Sequence, residues 1–167
     1  LNAYCFEIIK FKKYNLIISS ESGPAKGFIK NKNSFHLCYC HTPMRYLYDM
    51  KAQYLNGFNS FSKIFINFFL DRLRAWDINS SKNIDMIIAN SSFVAKRIKK
   101  NWLKDSIIIN PSINFDDFYI SNDKKKYYLI ISELVTYKRI DLAIKAFNKL
   151  DKKLYIIGKG PLLEKYK

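Results

Sequence analysis

Cysteine is scarce in this sequence, with three residues in 167: Cys5, Cys38 and Cys40. The number is odd, and Cys38 and Cys40 stand two apart on one candidate strand, a poor geometry for bonding to each other. Reduced thiols and a cytosolic setting are therefore expected, and a disulfide scaffold is not. Long apolar runs are also missing. The best candidate, "IFINFFL", lies between Lys63 and Asp71 and falls well short of the roughly 18 to 20 residues of a membrane span. No Walker loop, no G-x-S-x-G and no dinucleotide fingerprint occurs, so ATPase, hydrolase and dehydrogenase readings lack positive support.

Positive charge is abundant. The net charge is +15, with 17 bases against 7 acids over residues 1–110 and 12 against 7 over 111–167. A spread excess of this kind attracts nucleic acid, anionic headgroups and phosphorylated small molecules alike. A lysine-rich solvated surface accounts for it equally well. The hydrophobic content of 49% is enough to bury a core, which excludes a disordered basic tail. Leu1 in place of Met, and a closing "PLLEKYK" that reads as a helix cut short, give the expectation of an internal piece of a longer chain.

Short β-type runs recur at 14–19, 35–40, 85–91, 106–110, 127–132 and 154–158. Most are continuous rather than alternating, the pattern of strands covered on both faces. Helical patterns lie between them. Phe61, Ile64, Phe65, Phe68 and Trp76 fall at helical steps, with Lys63, Arg72 and Arg74 among them. In the next helix Phe93, Val94, Ile98 and Trp102 form a buried stripe behind a Ser91 or Ser92 cap. A third stripe comprises Ile140, Ala143, Ile144, Phe147 and Leu150. Strand and helix alternating in this way imply a parallel α/β sheet. Pro111, the acids Asp116 and Asp117, and a polar and basic run to Lys126 mark a break between two α/β units.

Four loops could carry chemistry, one of them in "SSESGPAKGF", where Ser19–Gly23 follow a strand as a ligand loop or an ordinary turn would. In "SELVTYKR", Lys138 and Arg139 stand between a strand and a helix, where free N–H groups and a helix dipole favour an anion. Solvated bases at a helix start, complemented by Asp141, are the competing reading. In "IIGKGPL", Gly158 and Gly160 allow close approach of a ligand or form a tight turn. In "HLCYCHTPMRYLYDM", His41 ends a strand and is placed to contact a substrate hydroxyl or transfer a proton. A zinc site of His36, Cys38, Cys40 and His41 is disfavoured, because zinc sites space their cysteines by about two to four residues. Bases and aromatics of residues 61–104 could bind nucleic acid, but those aromatics are expected to face the core, so no nucleic-acid partner is expected.

Together "CYCHTPMRYLYD", "DMIIANSSFVAKRIK", "IINPSINFDDF" and "YYLIISELVTYKRIDLAIKAFNKL…LYIIGKGP" occur in the order and spacing of retaining GT-B glycosyltransferases of family GT4. The chain resembles most closely the mannosyltransferase-like members that build bacterial surface polysaccharides. The resemblance implies two Rossmann-like domains facing each other across a cleft, each only partly present here. Residues 1–112 would be the later part of the acceptor-side domain, 113–126 a linker, and 127–167 the first βαβ of the donor-binding domain. It implies a metal-independent enzyme with no cofactor, moving a sugar such as mannose from a nucleotide-diphosphate donor to a glycan or lipid-linked acceptor with retention.

By the same resemblance His41 touches the transferred sugar, Lys138 pairs with the diphosphate with Arg139 beside it, and Gly158 and Gly160 flank the nucleotide. It also implies a cytoplasmic location with peripheral contact to an anionic membrane at its inner face. The departure is Glu133, which stands where the family usually has an arginine, with Thr136 in place of a proline. The family's glycine-rich loop and its paired glutamates are absent from this stretch. A degenerate, non-catalytic remnant or binding protein is the alternative, and little activity is expected of this stretch alone.

Overall fold

The apolar runs fold as parallel strands and the periodic segments as the helices between them. The structure, a computed structural model, describes residues 5–11 and 13–167. The chain divides into two compact units, with the boundary between Ile113 and Asn114.

The first unit holds strands β1 (Lys10–Phe11), β2 (Leu16–Glu21), β3 (Ile29–Lys30), β4 (Phe35–Cys40), β5 (Met86–Ala89) and β6 (Ile107–Ile108). A four-stranded sheet runs in the order β2-β4-β5-β6, all parallel, and β1 pairs with β3 in a two-residue ladder. Between β4 and β6 lie helices α1 (Lys51–Leu55), α2 (Ser60–Ser81) and α3 (Ser92–Trp102). Parallel neighbours need such long crossovers, since no tight turn can join them.

Burial alternates along the strands: Ile17, Ser19 and Glu21, His36, Cys38 and Cys40, and Ile87 and Ala89 point inward. The core joins Cys38, Cys40, Ile84, Ile87 and Ala89 to Val94, Ile98 and Trp102 of α3. The opposite face, with Leu16, Ile18, Phe35, Met86 and Ile107, is exposed. The expectation of strands covered on both faces is therefore corrected. Continuous apolar composition was satisfied here by one packed face and one open face.

Helix α3 follows its sequence pattern closely. The Ser91 hydroxyl accepts from the Val94 N–H at 3.3 Å, and Leu103 closes the helix in the left-handed region at φ 58°. Val94, Ile98 and Trp102 are buried, but Phe93 is exposed and Arg97 takes a core position. Helix α2 departs further. Asn59 caps it by accepting from the Ser62 N–H, and its buried residues are Trp76, Asp77, Ser80 and Ser81. Phe61, Ile64, Phe65 and Phe68 are all exposed, Phe61 at 71%, so the expected core stripe is an outward ridge.

The second unit holds β7 (Tyr128–Ile131), helix α4 (Ile140–Phe147), β8 (Leu154–Ile157) and α5 (Leu163–Tyr166), with β7 and β8 parallel. Ile140 is buried and Ala143, Ile144 and Phe147 are half-buried, the Phe147 ring lying 5.0 Å from that of Tyr128. Leu150 lies outside this stripe, exposed beyond the helix end. Residues 113–126 are exposed throughout and contain one turn of 3₁₀ helix, Phe115–Asp117. Among the described residues no helix is long and apolar enough to cross a membrane.

Candidate functional site

Ligands of open parallel sheets gather at the carboxyl ends of the strands, so the residues just after β4 and β7 define where to look. His41 directly follows β4, and its N–H donates to the Glu21 carbonyl at 2.8 Å. Strand alternation puts it on the open face, opposite His36, Cys38 and Cys40. Its Nε2 shares a 2.9 Å hydrogen bond with the Ser20 hydroxyl, and its ring meets that of Tyr39 edge-on at 5.3 Å. Tyr39 is anchored in turn by donating to the Ile109 carbonyl at 3.0 Å. His41 is thus an exposed imidazole with its ring plane fixed from two sides.

His36 has a different character. It is fully buried, 2.8 Å from the Ser19 hydroxyl through Nε2, and burial depresses its pKa to about 4, so the ring is neutral. Burial likewise pushes the Cys38 thiol up to about 12 and the Cys40 thiol higher, leaving neither as a nucleophile. With His41 on the other face, these four do not converge on one point. Among the described residues no group of three or more His, Cys, Asp or Glu is arranged to hold a metal.

In the second unit Lys138, Arg139, Gly158 and Gly160 come together at the carboxyl end of the β7–β8 pair. Thr136–Lys138 form a 3₁₀ turn, and Arg139 then adopts a left-handed conformation, φ 52°, to swing the chain into α4. The N-cap position of α4, Arg139, makes no side-chain cap, and within the first turn the Leu142 N–H already donates to the Arg139 carbonyl at 3.0 Å. Lys138 is exposed, its ammonium 5.5 Å from the Tyr137 ring, and no carboxylate pairs with it among the described residues. Arg139 instead forks onto Asp141 at 3.0 and 3.1 Å, and each partner holds the other's pKa in favour of its charged form. Glu133 is exposed at the start of the same loop.

The glycines are required by the backbone itself. Beyond the strand ends the two loops remain stitched, with the Ser132 N–H donating to the Ile157 carbonyl and the Leu134 N–H to the Lys159 carbonyl. A Cβ on Gly158 would lie 1.8 Å from the Ser132 oxygen, and Gly160 has φ 153° with Leu134 against it. These positions shape the floor beneath Lys138, a role the sequence reading did not separate from ligand contact.

Sequence reasoning missed a buried charge cluster below β2. The Lys26 ammonium, fully buried, sits 2.6 Å from Asp77 Oδ1 and 3.3 Å from Glu21 Oε1, and also donates to the Gly23 carbonyl at 3.0 Å. The Tyr48 hydroxyl and the Trp102 indole N–H both donate to Asp77 Oδ2 at 2.7 Å. Burial raises the Glu21 pKa, more than Lys26 can offset. Burial works to lower that of Lys26, but the two carboxylates outweigh it and hold the ammonium above its ordinary range. One cation shared between two acids does not offset the burial of Glu21, whose carboxyl is readied to take a proton. The available signal was Asp77 itself, an acid one residue after Trp76 and seven after Leu70.

No protein-family model and no curated protein matches the chain.

Proposed function

We propose that this chain is part of a retaining GT-B glycosyltransferase that takes a nucleotide-diphosphate sugar, with mannose one candidate sugar, and delivers it to a glycan or lipid-linked acceptor. The observation carrying this reading is Lys138: an exposed ammonium without an acid partner among the described residues, at a βα turn leading into a helix start with no side-chain cap at Arg139. Departing diphosphate charge is what such an arrangement stabilises, by fixed dipoles and one mobile cation. His41, oriented by Ser20 and Tyr39, supplies the contact to the transferred sugar. The reaction is written without a metal ion.

Lys138→Ala is expected to weaken nucleotide-diphosphate binding by about ten- to a hundredfold, the usual worth of a charged hydrogen bond. His41→Ala in the complete gene product is expected to lower transfer while leaving that affinity unchanged. Unaltered binding and turnover in the two variants would refute both assignments.

A second reading, a degenerate binding protein, is favoured by one geometric fact. Arg139, a base of the same loop that could stand in for the arginine replaced by Glu133, is already engaged by Asp141. The charge-reversal experiment in the Discussion separates the two.

A peripheral contact with an anionic membrane belongs to the same proposal. The ridge Phe61, Ile64, Phe65 and Phe68 points away from the core, and Arg72 stacks over Phe68 at 4.7 Å. An apolar stripe edged by a base, on a chain of net charge +15, complements a bilayer surface rich in acidic lipid. The expectation that these aromatics face the core, on which nucleic acid was set aside, does not hold. Cosedimentation with vesicles containing phosphatidylglycerol should therefore be run against single-stranded RNA. Binding to vesicles that falls severalfold in Phe61→Ser/Phe65→Ser is expected, and retention of RNA alone would overturn the membrane contact.

A further inference from the structure

A groove of about 450 Å³ opens between α2, α3 and the turn that follows His41, lined by Tyr48, Asp49, Arg74, Lys96, Arg97 and Lys100. Its volume is within the range of small-molecule sites. Four bases and one acid leave it a formal charge of +3.

The bases are not matched by local acids. Asp49 is taken by Arg97, Nη1 at 2.5 Å, with Arg45 at 3.7 Å on its other side, and these bases keep its carboxyl below the usual range despite some burial. Lys96 and Lys100 have no carboxylate partner among the described residues, whereas their neighbour Lys99 pairs with Asp105 at 2.8 Å. Two lysines four apart on a helix repel each other, a cost that a bound anion would remove. Arg74 is held over the Tyr48 ring at 5.1 Å, which fixes its position without neutralising it.

Arg97 is the one buried base among the four. It is 8% exposed, its Nη2 donates to the Pro43 carbonyl at 3.1 Å, and its Nε–H has no acceptor. Arginine and lysine in this combination match the tetrahedral oxygens of a phosphate, with a forked donor and two point charges.

We infer that this groove is a second anion site, binding a phosphomonoester or pyrophosphate group through Arg97, Lys96, Lys100 and Arg74. It lies wholly within the first unit and does not depend on the sugar-transfer reading. The phosphate could belong to a soluble phosphorylated molecule or to a lipid headgroup, and the experiment distinguishes them.

The test is titration of the 167-residue chain with inorganic pyrophosphate, following the Arg97 Nε–H resonance, beside flotation with vesicles containing phosphatidic acid or only phosphatidylcholine. A saturable shift of that resonance is expected, at least about tenfold weaker in Lys96→Ala/Lys100→Ala and restored in Lys96→Arg/Lys100→Arg. Far-UV circular dichroism of both variants controls for folding. If the resonance moves only with phosphatidic acid vesicles, the phosphate is a headgroup. If pyrophosphate suffices, it is a soluble ligand's. No shift with either, or a shift indifferent to the alanine pair, overturns the site.

Discussion

Replacing Lys26 with methionine is expected to cost about 3–5 kcal/mol of folding free energy, the largest stability effect this structure contains. Methionine keeps much of the volume and the contacts with Trp76 and Trp102, whose rings lie 5.8 and 4.7 Å from the ammonium. It removes the only cation between two buried carboxylates. Glu21 and Asp77 would then face each other without neutralisation, in a site from which water is excluded. The loss should shrink as pH falls. A carboxyl whose pKa is raised in the folded state binds its proton more tightly there than in the unfolded chain, so protonation favours folding, and Glu21 is already raised. Urea unfolding at neutral and mildly acidic pH measures both effects. The triple variant Lys26→Met/Glu21→Gln/Asp77→Asn should recover much of the loss, because no charge remains to be left unpaired. A Lys26→Met variant within about 1 kcal/mol of the parent would show that the cluster is not held as described.

The second large effect is expected at Glu133. Glu133→Arg turns an acid beside the Lys138 turn into a base, a change of two charges, and should raise nucleotide-diphosphate affinity about tenfold, or ~1.4 kcal/mol. The residue is exposed, so the gain should diminish as salt is added, since charges at the surface are screened over roughly 10 Å. A gain of this size identifies a diphosphate site weakened by one substitution. Indifference to the charge reversal would show that the acid is tolerated where it stands, with Arg139 and Asp141 simply completing a helix start, and would count against the degenerate reading.

The two halves of the chain differed in how legibly they were written. The run "FHLCYC" became a strand with the expected bounds, Phe35–Cys40, because a short aromatic and apolar run between turn signals leaves few alternatives. Strand β2 began two residues later than its run suggested and ended at Glu21, since a charged residue at a strand end is not visible as strand when its partner is Lys26, five residues on. The two-residue ladder of β1 and β3 carries too few residues to show any period.

The ridge of α2 illustrates a deeper limit. Helical spacing identified Phe61, Ile64, Phe65 and Phe68 as one face, correctly, but spacing cannot say on which side the core lies. The core took the face bearing Leu70, Leu73 and Asp77, where Asp77 is stabilised by three donors from elsewhere in the chain: Lys26, Tyr48 and Trp102. Those partners are 51, 29 and 25 residues away, so no local pattern announces them. The βα turn with Lys138 was readable because strand, loop and helix are contiguous. The groove with Arg97 was not, because its walls come from two helices and the turn at Tyr48 and Asp49 that precedes them both.

The most direct measurement of the central claim is a titration of the chain with GDP, UDP, ADP and dTDP, monitored by backbone amide resonances and repeated with Lys138→Ala. The account predicts saturable binding of at least one nucleotide diphosphate, with the largest shifts at residues 132–142 and 158–160, and marked weakening in the variant. Absence of binding by all four, or binding that leaves those residues unperturbed and ignores Lys138→Ala, would contradict it.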